Sequence, residues 1–259
     1  MFKLPKQLSE MDIDIDKPFS IFEKNNFFDN EFYNTLSQEF PKEEYFYNKH
    51  DLGNKKYLNN KDSNFNIFLK KSNAWQNFYN EVNSKKFLNE IFLLCKNRLF
   101  SINERKNIRS IDFKLNPNSN FLNRAIRKIK SLMGIYEVRL AFEFSLMKNG
   151  DFIPPHNDTE NKLVSLMIYF PDETQIKERD LGTNFFKSDK KDLNIWKGDM
   201  MSHEKSKEFY QSHSIFYKSK FERNKIVGFI KSKDSWHDVS KIKSSSELRK
   251  SLNINLYKI

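Results

Sequence analysis

Cysteine is almost missing from this chain. The one thiol, Cys95, has no partner for an internal disulfide, so no covalent staple is available and a reducing, cytoplasmic setting is expected. No run approaches the roughly 18 apolar residues that a spanning helix needs. The opening MFKLPKQLSE lacks the apolar core of a signal segment. A membrane span is therefore not expected. Glycine is scarce too, with six in 259 residues, and there is no Gly/Ser linker, low-complexity tract or internal repeat. Asp12, Asp14 and Asp16 alternate with Ile13 and Ile15 as an edge strand could. They lack the Gly turn and terminal Glu of a calcium loop.

Acidic residues are outnumbered, 34 against 45 Lys and Arg, for a formal charge of +11. The lysines are scattered in pairs such as Lys55-Lys56 and Lys190-Lys191. Without a dense basic block or an aromatic-basic motif, this reads as a solvated surface and does not favour a nucleic-acid partner. What is plentiful is core material: 38% of the chain is hydrophobic and 26 residues are Phe. At this length a folded chain buries roughly three quarters of its extended surface, so a substantial core is expected.

Phe32, Leu36 and Phe40 recur at helical spacing, with Asp29 placed to cap and Pro41 to stop them. Helices are also expected over residues 73–82 and 84–100, the latter presenting Leu88, Ile91, Phe92, Cys95 and Leu99 on one face. Residues 43–65 show no clear period and read as loop or substrate-facing surface. Residues 108–115 read as a strand. Residues 118–133 read as a basic helix with Phe121, Ile126, Ile129 and Leu132 roughly on one side. After Gly134 the pattern changes to strands up to the end. Helix-rich residues 1–134 are therefore expected to pack on a strand-rich core, residues 135–259, as one compact α+β unit with a mainly β core.

The segment LAFEFSLMKNGDFIPPHNDTENKLVSLMIYF, residues 140–170, organises the second half. Leu140, Phe142, Phe144 and Leu146 alternate as a half-buried strand, and residues 163–170 form a buried one. Between them, after what reads as a Pro-Pro turn, stand His156 and Asp158. His237 follows on a later strand and Arg249 on another. Two imidazoles and one carboxylate make the facial ligand set that leaves open positions on Fe(II). Arg249 would offer a planar guanidinium fork to a carboxylate. Further strands are expected at residues 184–186, 195–201, 213–221 and 225–230. His50, His203 and His213 match no ligand pattern, and Trp236 reads as a packing anchor.

In this order GDFIPPHND, KLVSLMIYF, LGTNFF, RNKIVGFIKS, SWHDV and RKSLNINLY resemble the 2-oxoglutarate/Fe(II)-dependent oxygenases of the prolyl-hydroxylase-like group, over residues 138–257. The resemblance implies a double-stranded β-helix, or jelly roll, buttressed by the N-terminal helices. It implies His156, Asp158 and His237 as catalytic iron ligands, with Arg249, Ser251 and Tyr169 holding the 2-oxoglutarate carboxylate. Leu146 and Met147 stand where a second Tyr contact often sits in that group. The implied reaction consumes O2 and 2-oxoglutarate, releases succinate and CO2, and hydroxylates a C–H bond. A carboxylate at Asp158, where halogenases have Gly or Ala, argues for hydroxylation or another oxygen-dependent C–H oxidation. The expected substrate is a small molecule or a protein side chain, anionic if the mouth is basic. The alternative reading is a non-catalytic, cupin-like metal- or sugar-binding jelly roll.

Overall fold

A computed structural model describes residues 8, 15–48, 54–101, 110–114, 120–172, 181–188, 203–243 and 248–259. In chain order the elements are β1 (Ile21–Lys24), α1 (Asn30–Gln38), β2 (Tyr47–Asn48), β3 (Lys56–Asn59), α2 (Ser63–Leu69), α3 (Asn73–Val82), α4 (Lys85–Ser101), β4 (Ser110–Phe113) and α5 (Phe121–Leu132). The second half continues with β5 (Ile135–Met147), β6 (Ile153–His156), β7 (Lys162–Tyr169), β8 (Asn184–Ser188), α6 (His203–Ser212), β9 (His213–Lys218), β10 (Ile226–Ile230), β11 (His237–Val239) and β12 (Arg249–Lys258).

Two sheets form the core. The larger runs β1-β10-β7-β12-β5-β3-β2, with β4 pairing in parallel along the start of β5; the smaller runs β6-β11-β8-β9. Strand alternation gives the larger sheet two different faces. Val138, Leu140, Phe142, Phe144 and Leu146 of β5 point to one side, into an apolar cluster with Phe65, Trp75, Phe78 and Leu88 of the helices. Trp75 is fully buried, its ring 4.7 Å edge-on to Phe144, and its Nε1 donates to the Leu36 carbonyl at 3.1 Å. The amphipathic indole thus fills the core while its one donor is satisfied. On the opposite face Met147, Met167, Tyr169, Val227 and Phe229 meet Phe185 and Val239 of the smaller sheet. This is the jelly-roll arrangement, with the helices outside it.

The N-terminal caps form as the sequence requires. Asp29 accepts from the amides of Glu31 and Phe32, and Ser72 and Ser84 accept from Trp75 and Phe87. Several expectations need correction. Residues 43–65 are not simply loop: β3 pairs with β5, and α2 buries Phe65, Phe68 and Leu69. The second half is not all strand, because α6 packs Phe209 against Phe186 and Trp236. The two prolines do not form a turn; Pro154 and Pro155 lie within β6. As an edge strand β6 tolerates residues that cannot donate to a ladder. The expected strand at 195–201 and the run at 12–14 lie outside the described residues.

Candidate metal centre

Sheet register brings the two imidazoles together. β11 pairs antiparallel with β6 so that His237 lies directly opposite His156, with ring centroids 4.1 Å apart. Each ring is locked by its own backbone: His156 Nδ1 lies 3.0 Å from the Pro154 carbonyl, and His237 Nδ1 lies 2.9 Å from that of Ser235. A carbonyl can only accept, so the proton sits on Nδ1 and the Nε2 lone pair of each ring is left for another partner. Asp158 follows β6 with φ of 65°, a left-handed conformation that Asp adopts more readily than most residues. The turn swings its carboxylate between the rings, Oδ1 lying 3.7 Å from His156 Nε2 and Oδ2 3.7 Å from His237 Nε2. Asn157 pins the turn by donating to the Lys233 carbonyl at 3.0 Å. The three ligand atoms all lie within 4.8 Å of one another.

Burial, and then the neighbouring His237, pushes the His156 pKa down from its ordinary value to about 3; burial also lowers that of His237. Both rings are therefore neutral, as ligation demands. Burial alone would raise the Asp158 pKa, but Lys162 and the two imidazoles outweigh it and hold the carboxylate well below the usual range. Lys162, the first residue of β7, donates to Asp158 Oδ1 at 2.8 Å. Its own pKa is raised, because Asp158 outweighs the burial that would lower it. Asp158 Oδ2, in contrast, is buried without a hydrogen-bond partner. An ionised oxygen in that state is costly. It would be relieved by a cation bound between the two Nε2 atoms, so the residues fit a divalent metal.

Arg249 opens β12 and is buried at 3% exposure. Its Nε donates to the Leu181 carbonyl at 2.6 Å and Nη1 to Ser251 Oγ at 3.2 Å, with Met147 Sδ at 3.8 Å. The guanidinium lies 5.3 Å over the Phe221 ring and 5.5 Å over that of Tyr169. Among the described residues no carboxylate pairs with it. A buried cation so placed is suited to an anionic ligand. Tyr169 faces the same side, but its hydroxyl is engaged with Ser219 at 2.8 Å and Thr183 at 3.0 Å. Met147, Phe185, Phe229 and Tyr169 share one apolar cluster; Met147 touches Arg249, and the Phe229 ring lies 4.6 Å from His237. The guanidinium and the imidazoles thus border the same space between the sheets.

No protein-family model and no curated protein sequence matches the chain. Its structure is similar to that of the non-heme α-ketoglutarate-dependent epimerase SnoN from nogalamycin biosynthesis, with a TM-score of 0.51 at 11% identity over 92% of this chain and 78% of that one. The fold is 2-oxoglutarate/Fe(II) oxygenase-like. A Pseudomonas putida prolyl-4-hydroxylase has a TM-score of 0.49 at 10% identity, covering 97% of this chain and 99% of that one. A Trichoplax adhaerens prolyl hydroxylase solved with a hypoxia-inducible-factor peptide also has a TM-score of 0.49, at 9% identity, covering 96% and 89%. On this oxygenase-like fold the His156, Asp158 and His237 cluster sits between the sheets.

The remaining candidates are placed elsewhere. His213 stacks on Phe209 at 3.9 Å, with Nδ1 near the Phe209 carbonyl and the Ser212 hydroxyl, which is a packing role. His203 begins α6 and its side chain, like all of His50, lies outside the described residues. Asp238, beside His237, points to the opposite face and accepts from Asn184 Nδ2 at 2.7 Å and the Tyr210 hydroxyl at 2.6 Å. Three site residues escaped the sequence reading: Lys162, Thr183 and Ser219. Lys162 left a signal, being a cation at the entrance of a mostly apolar strand. The two hydroxyls left none.

Proposed function

We propose that this chain is an Fe(II)- and 2-oxoglutarate-dependent dioxygenase that hydroxylates a C–H bond. The observation that carries the reading is the convergence of two tautomer-locked imidazoles on a carboxylate with one buried, unpartnered oxygen. That donor set is the one associated with non-heme Fe(II) centres having open positions. Iron held there would supply the redox chemistry by which O2 and 2-oxoglutarate give succinate and CO2 while a substrate C–H becomes C–OH.

In that reaction His156, Asp158 and His237 would hold the metal. The Pro154 and Ser235 carbonyls keep the rings aimed, and Lys162 orients the carboxylate by occupying its other oxygen. The Arg249 guanidinium and Ser251 hydroxyl would bind the distal carboxylate of 2-oxoglutarate. Tyr169 is assigned a positioning role there, because Thr183 and Ser219 already engage its hydroxyl. Phe185, Phe229 and Met147 exclude water between the two ends of the cosubstrate site.

Anaerobic addition of Fe(II) and 2-oxoglutarate to the full chain should produce a weak visible charge-transfer band, and admitting air should release succinate. Metal retention with neither band nor succinate would mean a non-catalytic metal-binding jelly roll and would overturn the proposal.

A further inference from the structure

Helix α5 is mounted with its polar side inward. Arg127 Nε bonds Glu137 of β5 at 2.8 Å, and Lys130 Nζ reaches both Glu137 and Asp112 of β4 at 3.1 Å. No residue of the helix is buried. At 3.6 residues per turn, Phe121, Leu122, Ile126, Ile129, Leu132 and the adjoining Met133 fall within an arc of about 140° on the far side from those ion pairs. All six are exposed, Phe121 at 87% and Leu132 at 79%. A surface helix normally does the reverse, burying its apolar stripe and exposing its charges. Single exposed apolar residues need no explanation, but a continuous stripe of six large ones on one helix does.

We infer that α5 is a membrane-docking helix that seats this apolar face at the surface of an anionic lipid bilayer. Charge chooses the occupant. Arg124 and Lys128 are exposed on the flank of the stripe, so the face is apolar in the middle and basic at its edge, the pattern of helices that lie in the headgroup region. The chain as a whole carries +11. A second copy placed against this face would oppose cation to cation, whereas anionic lipid complements both the edge and the net charge. The shape also fits: a single convex helix can sink its side chains some 5–10 Å to the headgroup boundary without a matching groove.

Docking would also orient the candidate metal centre. Arg139 lies two residues beyond Glu137 on the same face of β5, with its guanidinium 4.8 Å over the Tyr257 ring. Lys162, which holds Asp158, lies 5.7 Å from that same ring. The end of the sheet that carries α5 is therefore the end that carries Asp158, and a bound helix would set it against the lipid. The inference does not depend on the proposed reaction.

The test is sedimentation of the full chain with vesicles of equal parts phosphatidylglycerol and phosphatidylcholine, and with vesicles of phosphatidylcholine alone, at low and high salt. Binding to the anionic vesicles that weakens with salt is expected. Ile126→Glu with Ile129→Glu should lower the partition at least about tenfold, with the thermal midpoint unchanged because both side chains are exposed. Arg124→Gln with Lys128→Gln should lower it by up to about thirtyfold, at about fivefold per residue; this pair decides if the first variant fails to fold. Absence of binding to anionic vesicles, or binding that neither variant changes, would overturn the inference. So would a concentration-dependent dimer that the Ile variant dissociates and vesicles do not compete with.

Discussion

Replacing Arg249 with Met separates a ligand-binding role from a structural one. The guanidinium is buried at 3% exposure, and among the described residues it has no carboxylate partner. Its hydrogen bond to the Leu181 carbonyl at 2.6 Å is charge-assisted, worth about 1.5–3 kcal/mol, and losing it leaves that carbonyl short of a donor. Against this, removing an unpaired buried cation recovers several kcal/mol of desolvation. Met also preserves the contacts to the Tyr169 and Phe221 rings. The two terms are of similar size, so the unfolding free energy should shift by less than about 2 kcal/mol. Ligand binding has no such compensation. A bound 2-oxoglutarate would keep a buried carboxylate with nothing opposite it, a loss of about 3–5 kcal/mol, or roughly two to three and a half orders of magnitude in Kd. Arg249→Lys should fall between, since it keeps the charge and loses the planar fork. Urea unfolding supplies the first quantity, and calorimetric titration of 2-oxoglutarate into the Mn(II)-loaded chain the second. A Met variant that binds 2-oxoglutarate within tenfold of the parent refutes the assignment of Arg249 to the cosubstrate. Collapse of stability with intact affinity refutes the physical argument as well.

Asp158→Asn should abolish tight Fe(II) or Mn(II) binding and destabilise the metal-free chain by up to about 3–5 kcal/mol, because the buried Lys162 ammonium loses the charge of the carboxylate that it hydrogen-bonds. Adding Lys162→Met should restore much of the stability and none of the metal binding, as urea and equilibrium dialysis would show. Both site histidines have folded pKa values below the ordinary 6.5, so between there and about 3 the unfolded chain binds more protons. Stability of the metal-free protein should therefore fall by a few kcal/mol as pH drops through that window. Depression of the Asp158 pKa acts in the same direction below about 4; a flat urea midpoint from neutrality to about pH 4 would contradict the histidine effect, and no further fall below about 4 would contradict that of Asp158. Gly228→Ala should cost about 1–3 kcal/mol, since the new methyl would lie 2.2 Å from the buried Phe22 ring and 2.8 Å from Leu166. An unchanged midpoint would mean that β1 lifts from β10 without penalty.

How much of this was readable beforehand depended on whether a segment's own pattern decides its state. β5 and β7 announce themselves by alternation and by an unbroken apolar run, and α1 and α3 by caps followed by helical spacing. β3 does not, because Lys56, Tyr57, Leu58 and Asn59 hold one buried residue and become strand only by pairing with β5. α6 reads as solvated chain, its Phe209 finding a reason to be apolar only in Phe186 and Trp236. Pro154 and Pro155 look like a turn until β6 proves to be an edge. At the site, what the sequence shows is the set of side chains that the fold brings together: His156, Asp158 and His237 in one cluster, and Arg249 beside Ser251. Lys162 does not stand out because the apolar run begins only at Leu163. The outward face of α5 could not be read at all, since its orientation depends on Glu137 and Asp112, which belong to other elements.

The centre depends on one register, and the structure shows what fixes it. β11 is three residues long, too short for its ladder alone to resist slipping. A shift of one residue would turn His237 outward and drive Asp238 inward against Phe185 and Phe229. What opposes that is the outer face. Asp238 is buried at 2% exposure, with its carboxylate held by Asn184 and Tyr210, and Trp236 is seated against Phe209. A slipped strand would strand an ionised carboxylate in an apolar cluster and lose both hydrogen bonds, at several kcal/mol. Burial moves Asp238 toward protonation, outweighing its partners Tyr210 and Asn184. Asp238, which is not one of the three clustered donors, thereby holds His237 opposite His156, and α6, supplying Tyr210 and Phe209, supports the candidate metal centre from behind the strands that carry it.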